Sequence, residues 1–238
     1  MRRTVGYFAL LLLLPLPALA QQPGAFEPGP PRLWAGGSLL VAQPTGELAD
    51  HIDTGFGIAG ALAVRLDRAG IVGLRVEGGL DIYGSETFRV PLSNTIGGRI
   101  MVDVTTRNNI AYLGIGPQLM LPSDGIRPYI AGTIGLSYFH TTSSVKGDDS
   151  GEAFANDTNY SDTVFAWGST GGLYIPISRG RTPIHLDLGA RYHGNGNASY
   201  LPEGSIQDND DGTIDYDPIR SQANLVSYHI GVMIGIGR

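Results

Sequence analysis

The sequence predicts an all-β chain folded as an eight-stranded antiparallel up-and-down transmembrane β-barrel. Three observations predict it. Eight segments alternate apolar and polar residues with the period of two that belongs to extended strands. The connections between them alternate in length: three are short and four are long. The chain also begins with the pattern of an export signal.

Residues 1–20 carry that signal. Arg2 and Arg3 supply positive charge, an apolar run follows from Val5 to Leu16, and Ala18-Leu19-Ala20 gives the small-x-small cleavage pattern before Gln21. A spanning helix needs about 20 apolar residues, and Pro15 and Pro17 interrupt this run earlier. Residues 21–32 read as a disordered, Pro-rich lead-in. The barrel domain is expected over 33–238.

The first strand is expected near 33–42, with either register open because its glycines and alanines fit either face. A polar loop over 43–54 follows. The second strand, 55–66, sets Phe56, Ile58, Leu62 and Val64 against Gly57, Ala59, Ala61, Ala63 and Arg65. Asp67-Arg68-Ala69-Gly70 makes a short turn. The third strand, 71–83, has the clearest dyad: Val72, Leu74, Val76, Leu80 and Ile82 oppose Gly73, Arg75, Glu77, Gly79, Asp81 and Tyr83. It can run on to Leu92, with a hairpin tip at 94–99 marked by Asn94 and Gly97-Gly98 and a return from Ile100.

The fourth strand proper covers 110–121, and Pro122-Ser123-Asp124-Gly125 is a compact turn. The fifth, 127–141, places Ile130, Ile134, Leu136 and Tyr138 against Tyr129, Thr133 and Ser137. Residues 143–162 read as a long polar loop. The sixth strand, 163–177, puts Phe165, Trp167, Leu173 and Ile175 on one side. After a short turn at 178–182, the seventh, 183–193, opposes Ile184, Leu186, Leu188, Ala190 and Tyr192 to His185, Asp187, Gly189, Arg191 and His193. The longest loop spans 194–222. The eighth strand carries Val226, Tyr228, Ile230, Val232, Ile234 and Ile236 against Ser227, His229, Gly231, Met233 and Gly235. Each strand supplies roughly the 9–11 residues that cross a bilayer at a tilt.

Composition narrows the function. Without Arg2 and Arg3, fourteen basic face 22 acidic side chains, and a net charge of −8 disfavours nucleic acid as a partner. With no cysteine, disulfides and thiolate metal sites are excluded. Glycine, 35 of 238, suits crowded β-structure better than helices.

Which face points inward decides between a membrane barrel and a secreted one. The apolar faces of the third, seventh and eighth strands hold only aliphatic, aromatic and small residues. The opposite faces hold glycine and charges of both signs, suiting a narrow lumen filled by side chains. That inward polar set is Arg65, Arg75, Glu77, Asp81, Asp187, Arg191, His185 and His229. Phe56, Tyr138, Phe165, Trp167, Tyr192 and Tyr228 all sit on the apolar face near the long-loop end, as half of a lipid-interface girdle. Arg238 is placed to snorkel to headgroups at the other end.

On the ending Ala18-Leu19-Ala20, the dyad Gly73–Tyr83 and the closing Leu225–Arg238 segment, the chain resembles the small outer-membrane β-barrel family, OmpA/OmpX-like with a porin-type fold. The resemblance covers 33–238. It implies short periplasmic turns and long extracellular loops, outer-membrane lipid and lipopolysaccharide as surroundings, and barrel-assembly machinery during biogenesis. Members usually end on an aromatic residue, whereas this chain ends Gly237-Arg238.

Four candidate chemistries remain. The inward charges are an ion path or gate, or a structural plug; eight strands leave little open water, which favours the plug. His193, Asn195, Asn197 and Ser199, with Glu203 as the acid, make a set on paper like that of lipid A-modifying hydrolases. No nucleophile is fixed on a strand beside the histidine, so this reading is the weaker one. Asp148, Asp149, Glu152, Asp157, Asp208, Asp210, Asp211, Asp215 and Asp217 suggest calcium, but Asp208–Asp215 fails the EF-hand spacing and solvated loop charge is the simpler account. Three Asn-x-Ser/Thr sequons, at Asn156, Asn159 and Asn197, matter only in a pathway that reads them. The expected function is structural, adhesive or ligand-binding through the loops, without catalysis, cofactor or metal, as a monomer. OmpW-like passage of small or hydrophobic solutes is the alternative.

Overall fold

The computed structural model describes residues 31–91, 101–123, 125–147, 153–180, 182–202, 205–208 and 214–236. The leader 1–20, most of the lead-in, the hairpin tip 94–99 and Arg238 lie outside them.

Eight long strands form the wall: β1 (Leu33–Pro44), β2 (Gly55–Arg65), β3 (Val72–Pro91), β4 (Met101–Met120), β5 (Arg127–Gly147), β6 (Ala153–Ser178), β7 (Ile184–Asn195) and β12 (Leu225–Ile236). Each pairs antiparallel with its neighbours, and β1 pairs with β12 to close the barrel. Four short strands lie between β7 and β12: β8 (Asn197–Tyr200), β9 (Ile206–Asp208), β10 (Ile214–Tyr216) and β11 (Ile219–Gln222).

The register gives the geometry of the cylinder. Stepping across partners from Phe139 leads through Ile110, Asp81, Gly57, Leu40, His229, Gly189 and Gly172 and returns to β5 at Tyr129, ten residues lower. A stagger of ten residues at ~3.3 Å, around eight strands spaced ~4.8 Å, tilts the strands by roughly 40°. Each residue then climbs about 2.5 Å along the axis, so about ten cross an apolar band of ~25 Å.

The strands of β1, β2, β7 and β12 are little longer than this. Those of β3 to β6 are about twice as long. Pairing of β2 with β3 stops at Phe56 and Ile82, and pairing of β6 with β7 starts at Ala166 and Asn195. Beyond these points β3–β6 continue as an open four-stranded wing, about 25–30 Å along the strand. Most of the loop expected over 143–162 is therefore strand. Thr, Ser and Asn dominate its sequence, and cross-strand hydroxyl bonds supply what apolar alternation does elsewhere: Thr87 with Thr105, and Thr106 with Ser143, each at 3.0 Å.

The two other long loops are also more ordered than the sequence suggests. Gly46–Asp50 is a 3-10 helix that buries Leu48. Within 194–222, β8 pairs with β11 and β9 with β10. The open register of the first strand resolves with Trp34, Gly36, Ser38, Leu40 and Ala42 inward and Leu39 and Val41 outward.

Candidate functional site: the barrel lumen and its mouths

Alternation sends aliphatic side chains outward: Leu39, Ile58, Leu113, Ile130, Ile134 and Ile230 each expose more than half their surface. The aromatic set stands on the same outer face. Phe56, Phe165 and Tyr228 are the most exposed, and the rings of Trp167 and Tyr192 lie 5.2 Å apart. With the tilt allowed for, the six span a band about 10 Å tall. Just above it the outer face turns polar, at Asn109 and Arg107 on β4 and His140 and Thr142 on β5.

Inside, charge meets charge. Glu77 accepts from Arg75 Nε at 2.8 Å and lies 2.5 Å from Arg191 Nη1, bridging two buried guanidinium groups. Thr133 Oγ1 donates to Glu77 at 3.1 Å and accepts from Arg191 Nη2 at 3.3 Å. Arg75 Nη1 also donates to Tyr174 Oη and to Gln118 Oε1. Toward β12, Tyr129 Oη donates to Asp187 at 2.9 Å, and His229 Nε2 lies 3.4 Å from the same carboxylate. Rings fill the remaining width. Tyr129 stacks on Tyr174 at 4.4 Å, Trp34 lies 4.5 Å from His185, and Arg191 sits over Tyr112 at 4.7 Å.

Of the inward polar set, Arg75, Glu77, Asp81, Asp187, Arg191 and His185 are buried, and His229 is nearly so. Arg65 sits at the short-turn mouth. Asp81 departs from the expectation that buried charges are paired. It is 1% exposed, and neither oxygen has a hydrogen-bond partner among the described residues. Gly57 makes room for it: a Cβ there would collide with Asp81 Oδ1. The network's Tyr129, Tyr174, Tyr112, Gln118, Thr133 and Trp34 were not in the expected set. Parity along the strands marks all but Trp34, whose strand has an open register in sequence, as inward, but a tyrosine on a glycine-rich face carries no sign of which carboxylate it will meet.

Above the ion pairs, the long-loop mouth is roofed by an apolar cluster. Ala42, Ile110, Phe139 and Leu225 come from the wall, and Leu48, Ile52, Ala198, Tyr200 and Ala223 from the loops. The roof is pinned by backbone and side chain: Thr45 N donates to Asn224 O, Gln222 N to Glu47 Oε2, and Tyr200 shares a 2.8 Å hydrogen bond with Ser221.

The hydrolase set is not assembled among the described residues. His193 is buried in the lumen against Tyr112, and neither ring nitrogen has a hydrogen-bond partner among the described residues. Asn195 is engaged with Ala223 O, Asn197 pairs with Gln222 on β11, and the Ser199 amide donates to Asp162. Glu203 lies outside the described residues. So do Asp148, Asp149, Glu152, Asp210 and Asp211 of the acidic loops. Asp157 accepts from the Thr158 amide, and Asp208 and Asp215 fall in the β9–β10 pair. Among the described residues no cluster of His, Asp and Glu has the makings of a metal site.

Solved structures similar to this chain include Neisserial surface protein A (14% identity, 88% of this chain and 100% of that one, TM-score 0.43). Two more are Ail, the attachment invasion locus protein of Yersinia pestis (10%, 87% and 97%, TM-score 0.41), and the N-terminal β-barrel domain of Pseudomonas aeruginosa OprF (12%, 86% and 98%, TM-score 0.31). No curated protein matches it in sequence. The family model of the outer membrane protein beta-barrel domain matches residues 7–235. A closed ring that leaves no strand edge in hydrocarbon, greasy outside and ionic within, is what such a domain requires, and this chain belongs to the outer membrane protein beta-barrel domain family.

Proposed function

We propose that this bacterial outer-membrane barrel is a non-catalytic binding or adhesive protein that works through its extracellular end. The observation that carries the reading is the wing. Four strands rise past the membrane band, and the lumen that would serve transport is filled by the Glu77 network and roofed over. A filled eight-stranded lumen disfavours solute flow, and a stiff polar sheet is a good platform for a partner. The barrel acts as a monomer set among phospholipid and lipopolysaccharide, delivered to the assembly machinery after cleavage of its leader.

The test is a variant in which residues 86–106 are replaced by a two-residue turn between the paired Ser85 and Arg107, shortening the β3–β4 hairpin to the membrane band. Cells displaying it should lose adhesion to glycan and matrix surfaces while the barrel still shows a heat-dependent shift on gels. Undiminished adhesion, or steady large conductance of the intact barrel in planar bilayers, would overturn the reading. N-terminal sequencing of the membrane-extracted protein should begin at Gln21.

A further inference from the structure

The charge of this protein is unevenly placed. The whole chain is acidic, yet among the described residues the periplasmic mouth is cationic. Arg32, Arg65, Arg68, Arg127 and Arg179 all lie at the short-turn end, with His185 just inside. Among the described residues the carboxylate of these turns is Asp67, and its Oδ1 already accepts from the Val72 amide at 2.9 Å. Asp187, deeper in, is held by Tyr129 and His229.

Two of these arginines are brought together. Arg65, the last residue of β2, and Arg127, the first of β5, both point into the mouth and converge over Gly70. A Cβ on that glycine would lie 3.0 Å from Arg65 Cδ and 3.4 Å from Arg127 Nη2. Gly70 has φ +71, so the turn itself demands glycine, and the space above it is left to the guanidinium groups. Arg127 Nη2 donates to Gly70 O at 3.2 Å, while its Nε is buried without a hydrogen-bond partner among the described residues. A cavity of about 20 Å³ beneath the pair is lined by Trp34, Arg65, Gly70, Gln118, Met120 and Arg127. His185 lies in electrostatic reach of Arg127 and Arg179.

Like charges packed this closely repel, and a buried guanidinium N–H without an acceptor is costly. An oxyanion relieves both at once, because guanidinium forks match its geometry. We propose that the periplasmic mouth is a phosphate-binding site, with Arg127 as its inner ligand, Arg65 beside it, and Arg179 and Arg68 on the rim. The site is independent of the extracellular binding reading and lies at the opposite end of the barrel.

The phosphate has two possible sources, a soluble periplasmic compound or an anionic lipid headgroup. The probe is inorganic pyrophosphate, titrated at constant ionic strength against the full mature barrel in neutral detergent and in phosphatidylcholine nanodiscs. Pyrophosphate should raise the thermal midpoint where matched chloride does not. Its affinity should fall at least tenfold in Arg127→Gln and several-fold in Arg179→Gln, whose exposed position spares folding. Arg107→Gln, on the outer face of the wing, should bind like the parent. Adding phosphatidylglycerol to the nanodiscs should compete with pyrophosphate if the source is a headgroup, and leave it unaffected if the source is soluble. Equal effects of chloride and pyrophosphate, or parent-like binding by both arginine variants, would sink the proposal.

Discussion

Glu77 shows how a narrow lumen is held by single side chains. Its two oxygens are shared between Arg75, Arg191 and Thr133, so its loss strands two buried cations at once. Breaking a buried pair by removing one partner costs about 3–5 kcal/mol. Glu77→Ala is therefore expected to lower stability by at least that much, read from urea unfolding of the detergent-folded barrel. Gly194 makes a different point. A Cβ there would run into the Trp167 indole, so Gly194→Ala should push that ring from its place and shift tryptophan fluorescence. Gly194 and Trp167 pair across β7 and β6 on the same outward face, so the small residue and the large ring are one packing arrangement.

Elements differ in how their ends are secured. The β2–β3 turn depends on Asp67. Partial desolvation raises its pKa, but the amides of Val72, Ile71 and Gly70 outweigh that and hold the carboxyl below the ordinary value. A depressed folded pKa means the contribution is complete above the unfolded value of about 4 and is lost as pH falls through the folded one. The hydrogen-exchange protection factor of the Val72 amide should fall as pH drops through that acid range in the parent. In Asp67→Asn it should be flat. At the other end, Leu48 on the 3-10 helix is a large loop residue of the roof, only 1% exposed. Leu48→Ala should cost about 2–5 kcal/mol of local stability and expose 43–54 to protease while the wall persists. The strand faces were legible in sequence because a period of two separates Leu74 from Arg75 without any tertiary knowledge. The wing was not: at Thr142, Ser143 and Ser144 composition says loop, and only pairing with Thr105, Thr106 and Arg107 makes strand of it. The roof was hidden for a similar reason, since Leu48 and Tyr200 lie among polar neighbours and meet only in three dimensions.

For the whole molecule, closure is what turns eight marginal ribbons into a stable object. Every wall strand has two partners, so no unpaired edge faces lipid. The number of strands and their outward faces were readable from turn spacing and hydropathy. The ten-residue stagger was not, because it depends on which residues pair across each seam. Nor was the pairing of charges, and Asp81 is the warning: membership of the inward face does not supply a partner. Because Glu77 and the roof close the lumen in series, neither Glu77→Ala nor Leu48→Ala alone should give steady channel openings in planar bilayers. A double variant that conducts while both singles stay silent would show that the two closures act independently.

The unequal wall gives the exterior a direction. β3 to β6 stand high on one side, while β1, β2, β7 and β12 stop near the lipid surface on the other. A large molecule drifting laterally over the cell meets a rampart from one bearing and a low doorstep from the opposite one. Encounters will therefore depend on how the cylinder is turned about its own axis, so that neighbours crowding one flank silence it and neighbours crowding the other do not.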